Sequence, residues 1–301
     1  MEFVGEFLVA FLESVLRLSV PLLFAAYGGL ISERSGLANV ALEGLLLVSA
    51  FAGAAITALT GNVWLGVAGG VAAGGLGGLF FGGTTLYSRA DHIVMGTAFN
   101  LLVIGIIPTI TRALFGVTGS TPQLSRDLRL SYDSVFFVLA LAVGGIIFWS
   151  IQQTRWGLRL RAAGEEPVAL TVQGVSPLRV RLMASVVAGC VVGIGGIDLS
   201  LCQGSGYIRE MSGGRGFIAL AALIFGGWRP LQTTLACLLF AAADAAQILL
   251  QGRSFFDWSV PNSLVQILPY LATLALLALR FGGRLGGRAR VMAPAAINRP
   301  L

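Results

Sequence analysis

Five polar residues lie inside stretches of the sequence that are otherwise apolar. Asn39 and Glu43 are four residues apart and Asp244 and Gln247 are three apart, so each pair shares one face of a helix. Asn100 lies within another apolar run. Polar groups are costly in hydrocarbon and are functional candidates by default. Amides and carboxylates can bind hydroxyl groups and base edges, so these residues predict the lining of a pathway for a neutral, hydroxyl-rich solute.

The same residues allow other interpretations. Each polar group could instead satisfy the end of a broken helix or a neighbouring helix. Alternatively, Glu43 and Asp244 could form the proton relay of an ion-coupled secondary transporter. A membrane-embedded structural or receptor subunit is a further class, which the buried polar pairs argue against. His92, beside Asp91, is interpreted as a histidine at the membrane interface.

No signature of a soluble enzyme accompanies these residues. The sequence lacks the G-x-x-x-x-G-K-[ST] phosphate loop, so ATP hydrolysis by that route must come from another chain. The single histidine excludes histidine-pair metal sites, and no Ser/His/Asp set is visible. The sequence therefore predicts a protein that is not an enzyme and that has no cofactor and no metal.

The elements that must position these residues are membrane spans. Of the 301 residues, 56% are hydrophobic and only 11% are charged, and the mean hydropathy is +0.85. A soluble domain carries about 25% charged residues. The composition predicts an all-α, polytopic transmembrane bundle of about 8–10 spans, forming one transmembrane domain over residues 1–301.

The predicted segments follow from predominantly apolar runs of roughly 20 residues. They are Phe7–Ile31, two spans within Gly44–Ser88 divided at Thr60-Gly61-Asn62, Ile93–Thr111, Ser134–Thr154, Leu182–Ile197, Leu231–Gln251 and Trp258–Leu279. Glu13, Arg17 and Pro21 predict that the first segment is an interfacial piece followed by a kinked span. Phe217–Gly227 is too short to cross and predicts a broken or re-entrant helix.

Glycines recur at every fourth residue of the predicted third span. They are Gly66, Gly70, Gly74, Gly78 and Gly82. Small residues at this spacing let another helix approach closely. The pattern predicts a tight helix crossing rather than a binding site.

Arginine counts predict the orientation. If the tail 280–301 is cytoplasmic, 13 arginines lie inside and seven outside. This bias places the segment 155–181 and the basic tail in the cytoplasm. The same bias explains the net charge of +6, so the charge does not indicate nucleic-acid binding.

The segment 155–181 contains one predicted short helix. Gly164 and Gly174 bracket its sequence, EEPVALTVQ, and a short helix between spans is suited to docking against a partner protein.

Four stretches in this order resemble a known family. They are GGLISERSGLANVALEGLLLVSAFAGAA (28–55), ADHIVMGTAFNLL (90–102), GLRLRAAGEEPVALTVQGVSPLRVR (157–181) and GFIALAALIFGGWRP (216–230), followed by Ala-Asp-Ala at 243–245. Over residues 18 to 282 the chain resembles the permease subunits of ABC importers for simple sugars and nucleosides. These belong to the branched-chain amino acid and ribose permease superfamily. The S-E-R-S-G-L-A-N-x-x-L-E-G core favours the nucleoside branch.

The resemblance implies a multi-pass protein of the bacterial plasma membrane, embedded in lipid, with three protein partners. They are an ATPase with two fused nucleotide-binding domains, a second and longer permease, and an extracytoplasmic substrate-binding protein. It also implies that one set of residues matches the loop that inserts into the ATPase: Gly164, Glu165, Glu166, Pro167, Ala169 and Gly174. Permeases for another simple sugar or for a branched-chain amino acid are the nearest alternatives.

Overall fold

The protein is a bundle of α-helices. The computed structural model describes residues 2–130, 135–251, 254–255, 258–259 and 293–297. Its helices are α1 (Glu2–Arg34), α2 (Leu42–Thr60), α3 (Val63–Ser88), α4 (His92–Phe115), α5 (Val135–Gln153), α6 (Arg155–Glu165), α7 (Pro167–Val172), α8 (Pro177–Ile197), α9 (Arg215–Gly226) and α10 (Pro230–Leu250). A 3-10 turn (Arg126–Leu128), a π-helical turn (Asp198–Gln203) and two paired two-residue strands, β1 (Ser254–Phe255) and β2 (Trp258–Ser259), complete the described elements.

Seven of the described helices are long and apolar enough to cross a membrane. They are α1 to α5, α8 with its π-helical turn, and α10. The predicted all-α polytopic bundle is therefore confirmed, and α9, with 12 residues, is the predicted short segment. The predicted span Trp258–Leu279 falls outside the described residues apart from 258–259, and so does most of the tail 280–301.

The first span differs from the prediction, because α1 is one helix of 33 residues rather than two pieces. Glu13 and Arg17 occupy exposed positions, where charge does not oppose helix formation. Pro21 lies inside the helix, and from Leu18 onward α1 is buried in the bundle. Burial against neighbouring helices compensates for the one backbone hydrogen bond that proline removes.

The glycine stripe of α3 packs against α8, as the spacing predicted. A Cβ built on Gly74 would lie 2.3 Å from the carbonyl oxygen of Gly189, and a Cβ on Gly189 would lie 2.1 Å from that of Gly74. One turn further along, a Cβ on Gly78 would lie 2.2 Å from the carbonyl oxygen of Ser185, whose hydroxyl donates to the Gly78 carbonyl. The two backbones touch, so no side chain fits between them.

The short helix predicted within residues 165–173 is present as α7, but it follows a second helix, α6, that the sequence did not predict. Thr154 caps α6 by accepting the Gly157 N–H at 3.0 Å, and α6 runs through Gly164 to Glu165. The chain breaks at Glu166, because the residue before a proline avoids helical geometry. Pro167 then starts α7, a helix of only six residues. Pro177 starts α8, so the last residues of the segment belong to that span.

Two loops pack together at one end of the bundle. The Thr121 N–H donates to the Tyr207 carbonyl at 3.0 Å, and the Tyr207 N–H donates to the Thr121 hydroxyl at 2.9 Å. The Leu124 N–H donates to the Ser205 carbonyl in the same contact. The opposite end carries α6, α7 and residues 35–41, which we call the α1–α2 joint.

Candidate functional site

The N-terminus of α9 rests on the carboxylate of Glu43, in the first turn of α2. Glu43 Oε1 accepts the Ser212 hydroxyl at 2.5 Å and the Gly214 N–H at 2.9 Å, and Oε2 accepts the Gly216 N–H at 2.7 Å. The first N–H groups of a helix have no partner within the helix, and its N-terminus carries partial positive charge. One buried acid therefore satisfies the broken end of α9 and complements its dipole.

The C-terminal end of α9 is held from the same stretch of sequence. Trp228 follows α9 in a left-handed conformation, with φ 53°. Its indole N–H donates to Glu33 Oε2 at 2.5 Å, while its carbonyl accepts from Arg34 Nε at 2.9 Å and Nη2 at 2.6 Å. Glu33 and Arg34 end α1, and Glu43 begins α2, so both ends of α9 are fixed by residues that flank the α1–α2 joint.

The amides of the candidate set organise the joint. Asn100, on α4, accepts the Gly44 N–H at 2.8 Å and donates to the Val40 carbonyl at 2.9 Å. Asn39 accepts the Ala41 N–H at 3.1 Å. Its buried Nδ2 has no hydrogen-bond partner in the described part of the chain. These contacts provide hydrogen-bond partners for backbone groups at the start of α2.

His92 supports the joint from α4. It is buried, and its Nδ1 accepts the Ala38 N–H at 3.2 Å. His92 is the first residue of α4, and it is buried because the α1–α2 joint folds over the start of that helix.

Asp244 and Gln247 differ from the other candidates. Both are half-buried on α10, and neither side chain makes a hydrogen bond within the described residues. The charge of Asp244 acts on Arg215, the first residue of α9, together with the charges of Glu43 and Asp198. No direct ion pair joins Arg215 to these acids in the described ranges. Among the described residues, three carboxylates thus act on the guanidinium of Arg215 at the start of α9, and the charge of Arg17 acts on it as well.

Asp198 belongs to the π-helical turn that extends α8. Its Oδ2 accepts the side-chain amide of Gln203 at 2.6 Å, and that amide also donates to the Arg17 carbonyl at 2.9 Å. Arg17 in turn donates to the Gln203 carbonyl at 3.2 Å. π-helical turns inside α-helices often occur at functional sites. This turn brings α1 and α8 together near the charges around Arg215.

The candidate docking residues separate into two groups. Gly164 is buried, and a Cβ there would lie 2.3 Å from the Arg34 carbonyl oxygen, so α6 is pressed against the joint. The other residues lie around α7, where most are exposed and Pro167 is half-buried; they are Glu165, Glu166, Pro167, Ala169 and Gly174. Gly174 has φ 74°, the left-handed geometry that follows a helix end.

Sequence reasoning missed four residues that the geometry makes central. They are Glu33, Arg34, Arg181 and Arg215. Glu33 and Arg34 lie in the S-E-R-S part of the family motif and Arg181 ends the matched stretch 157–181, but no role was predicted for any of the four residues. The sequence did contain a signal for them. Each is an acid or an arginine next to an apolar run, at a position where a loop does not need a charged residue.

Comparisons with known proteins agree with this architecture. Residues 11–277 match the family described as "Branched-chain amino acid transport system / permease component". The nucleoside ABC transporter permease protein NupC of Lactococcus lactis is 30% identical, over 92% of this chain and 93% of its own. The guanosine ABC transporter permease protein NupQ of Bacillus subtilis is 29% identical, over 86% and 88%.

A putative glucose ABC transporter permease protein of Haloferax volcanii is 30% identical, over 91% of this chain and 92% of its own. No solved structure matches. The seven apolar helices and these relatives identify a multi-pass plasma-membrane protein. With most of its length matched, the chain belongs to the branched-chain amino acid transport system / permease component family.

Proposed function

We propose that this chain is the permease subunit of an ABC importer for a nucleoside or a related simple sugar, and that α7 couples it to a separate ATPase. The observation that carries the coupling role is the surface of α7. Val168 and Val172 are four residues apart and therefore share a face, and they are 63% and 83% exposed. Leu170 is buried and anchors the helix to the bundle. Exposed valines on a polar segment between spans fit a groove on a partner protein.

Orientation and partners follow from the same proposal. The arginine bias supports a cytoplasmic location for the segment 155–181 and for the basic tail 280–301. An ATPase with two fused nucleotide-binding domains would receive α7, and a second, longer permease would complete the membrane part. A substrate-binding protein would deliver the solute on the opposite side. Binding of ATP by the partner would stabilise one of two states of the spans.

The pathway residues divide by their hydrogen bonds. The side chains of Asp244 and Gln247 make no hydrogen bond within the described residues, and we assign them to the pathway lining. Asn39, Glu43 and Asn100 belong to the same pathway region but act mainly on backbone groups. A neutral, hydroxyl-rich solute suits this arrangement, because a carboxylate accepts hydrogen bonds from hydroxyl groups and an amide both donates to them and accepts from them.

The test is a charge placed on α7. Val172→Asp in the complete complex is expected to abolish ATP-dependent uptake of tritiated guanosine into proteoliposomes while membrane insertion is retained, because an acid cannot enter an apolar contact without a partner. Asn62→Asp is the matched control, since Asn62 is exposed at the N-cap of α3 and aspartate caps equally well. Uptake by Val172→Asp at the wild-type rate would refute the coupling role.

The same assay separates the alternatives. Uptake of another sugar or of a branched-chain amino acid, with guanosine excluded, would move the substrate assignment within the family. Uptake by this chain alone that collapses with an uncoupler and needs no ATPase would instead favour the ion-coupled transporter using Glu43 and Asp244.

A further inference from the structure

One buried arginine connects three separate parts of the chain. Arg181, in the first turns of α8, has no exposed surface. Its Nε donates to the Ser35 carbonyl at 3.0 Å, in the α1–α2 joint, and its Nη2 donates to the Ala163 carbonyl at 3.1 Å, in α6. A longer contact of 3.5 Å joins Nη2 to the Ala296 carbonyl. The guanidinium is a rigid fork of donors, so it fixes these backbones relative to one another.

The surroundings of Arg181 leave little freedom between α6 and the joint. A Cβ on Gly36 would lie 2.8 Å from Arg181 Nη2, and a Cβ on Gly164 would lie 2.3 Å from the Arg34 carbonyl oxygen. The Ala296 N–H donates to the Gly164 carbonyl at 2.8 Å, so residues 293–297 close over the same contact. Two glycines thus allow backbone to meet backbone around one guanidinium.

This contact leads directly to the broken helix. Ser35 follows Arg34 and Glu33, the two residues that bind Trp228 at the C-terminal end of α9. A displacement of α6 would therefore move the joint through Arg181, and the joint would move α9 through Glu33 and Arg34. Closely packed and hydrogen-bonded elements of this kind transmit movement because they shift as units.

We propose that Arg181 is a positioning residue that transmits movement of α6 and α7 to α9. This inference rests on the proposed coupling role of α7. It makes one prediction that a purely structural role does not. Loss of Arg181 should uncouple ATP hydrolysis from transport, so that less solute is taken up per ATP hydrolysed. Loss of the fold should instead lower hydrolysis and transport together.

The experiment compares Arg181→Met with wild type in proteoliposomes that contain the complete complex. The readouts are guanosine uptake per ATP hydrolysed and the ratio of binding-protein-stimulated to basal ATPase activity. Arg181→Met is expected to lower both by roughly fivefold or more, the usual size of a coupling effect, at unchanged complex yield. Arg181→Lys is expected to recover part of each ratio, since one ammonium can still reach some of the carbonyl oxygens.

The control is Arg179→Met, an exposed arginine two residues earlier, which is expected to leave both ratios at the wild-type value. A second variant, Gly164→Ala, separates α6 from the joint while Arg181 stays intact, and it is expected to lower the same ratios. Its own control is Gly145→Ala on α5, where an added Cβ meets no atom within 4 Å.

Distinct outcomes refute distinct claims. Wild-type ratios in Arg181→Met overturn the inference. If Arg181→Met does not assemble, wild-type ratios in Gly164→Ala overturn it instead. A wild-type complex that shows no stimulated ATPase and no uptake refutes the coupling role itself. Stimulated ATPase without guanosine uptake refutes only the substrate assignment, and the ATPase ratio still decides the role of Arg181.

Discussion

At the scale of single residues, two acids inside the membrane have opposite surroundings. Glu43 is buried and accepts three hydrogen bonds, two of them from the backbone at the start of α9. Asp244 is half-buried and makes no hydrogen bond within the described residues. A carboxylate whose acceptors are occupied supports the fold, whereas one with available oxygens can bind a solute. The two acids are therefore expected to respond differently to removal of their charge.

Glu43→Gln is expected to destabilise the detergent-solubilised protein by about 1–3 kcal/mol, because an amide nitrogen would face backbone N–H groups and leave a buried donor unsatisfied. The measurement is the denaturant midpoint of unfolding. Glu13→Gln, at an exposed position of α1, is the control and should leave the midpoint unchanged. An unchanged midpoint in Glu43→Gln together with a higher KM would instead make Glu43 a solute ligand.

Asp244→Asn is expected to raise the KM for guanosine uptake by roughly tenfold, the size of one lost charge-assisted hydrogen bond, and to leave the unfolding midpoint unchanged. Asp127→Asn provides the comparison, since Asp127 lies exposed in the 3-10 turn. A lower midpoint with an unchanged KM would place Asp244 in the supporting frame and not in the pathway.

At the scale of elements, the crossing of α3 and α8 brings two helix backbones into direct contact. It depends on glycine at facing positions, where each added Cβ would overlap the opposite backbone. Dispersion contacts of this kind supply much of the association energy in lipid, where helix faces gain little from the hydrophobic effect.

Gly74→Ala is expected to destabilise the protein by about 1–3 kcal/mol, because the new methyl group can be accommodated only if a backbone moves. Gly83→Ala tests whether helix propensity matters, since it lies on the same helix with no atom within 4 Å of the added Cβ. The two variants should differ in unfolding midpoint. Equal midpoints would mean that the α3–α8 contact is not limiting for stability.

The elements were largely predictable from sequence, and their errors have identifiable causes. Apolar runs predicted α2, α3, α4, α5 and α10 within a few residues, because lipid requires long apolar helices. Glu13 and Arg17 led to the prediction that the first segment is two pieces. The sequence could not show that both residues lie on the exposed side of one continuous helix. In the segment 155–181, α7 lies within the predicted short helix, but the helix before it, α6, was not predicted.

At the scale of the whole molecule, the described helices arrange around α2 and α8, which are the most buried spans. The frame that holds α9 joins residues far apart in sequence: Glu43 binds Gly216, and Glu33 binds Trp228. Periodicity and local propensity carry no information about such pairs. The sequence therefore showed that these acids lie in or beside apolar runs, but it could not show that they bind α9 rather than a solute.

The two acids that hold α9 also constrain the length of that helix. Glu33 and Glu43 are separated along the chain by the joint, and the helix that they hold has 12 residues, about 18 Å at 1.5 Å per residue. One residue more in α9 would turn its end by about 100° and carry Trp228 away from Glu33. Insertions and deletions in the joint and in α9 must then compensate one another, so the two segments are expected to change length only together.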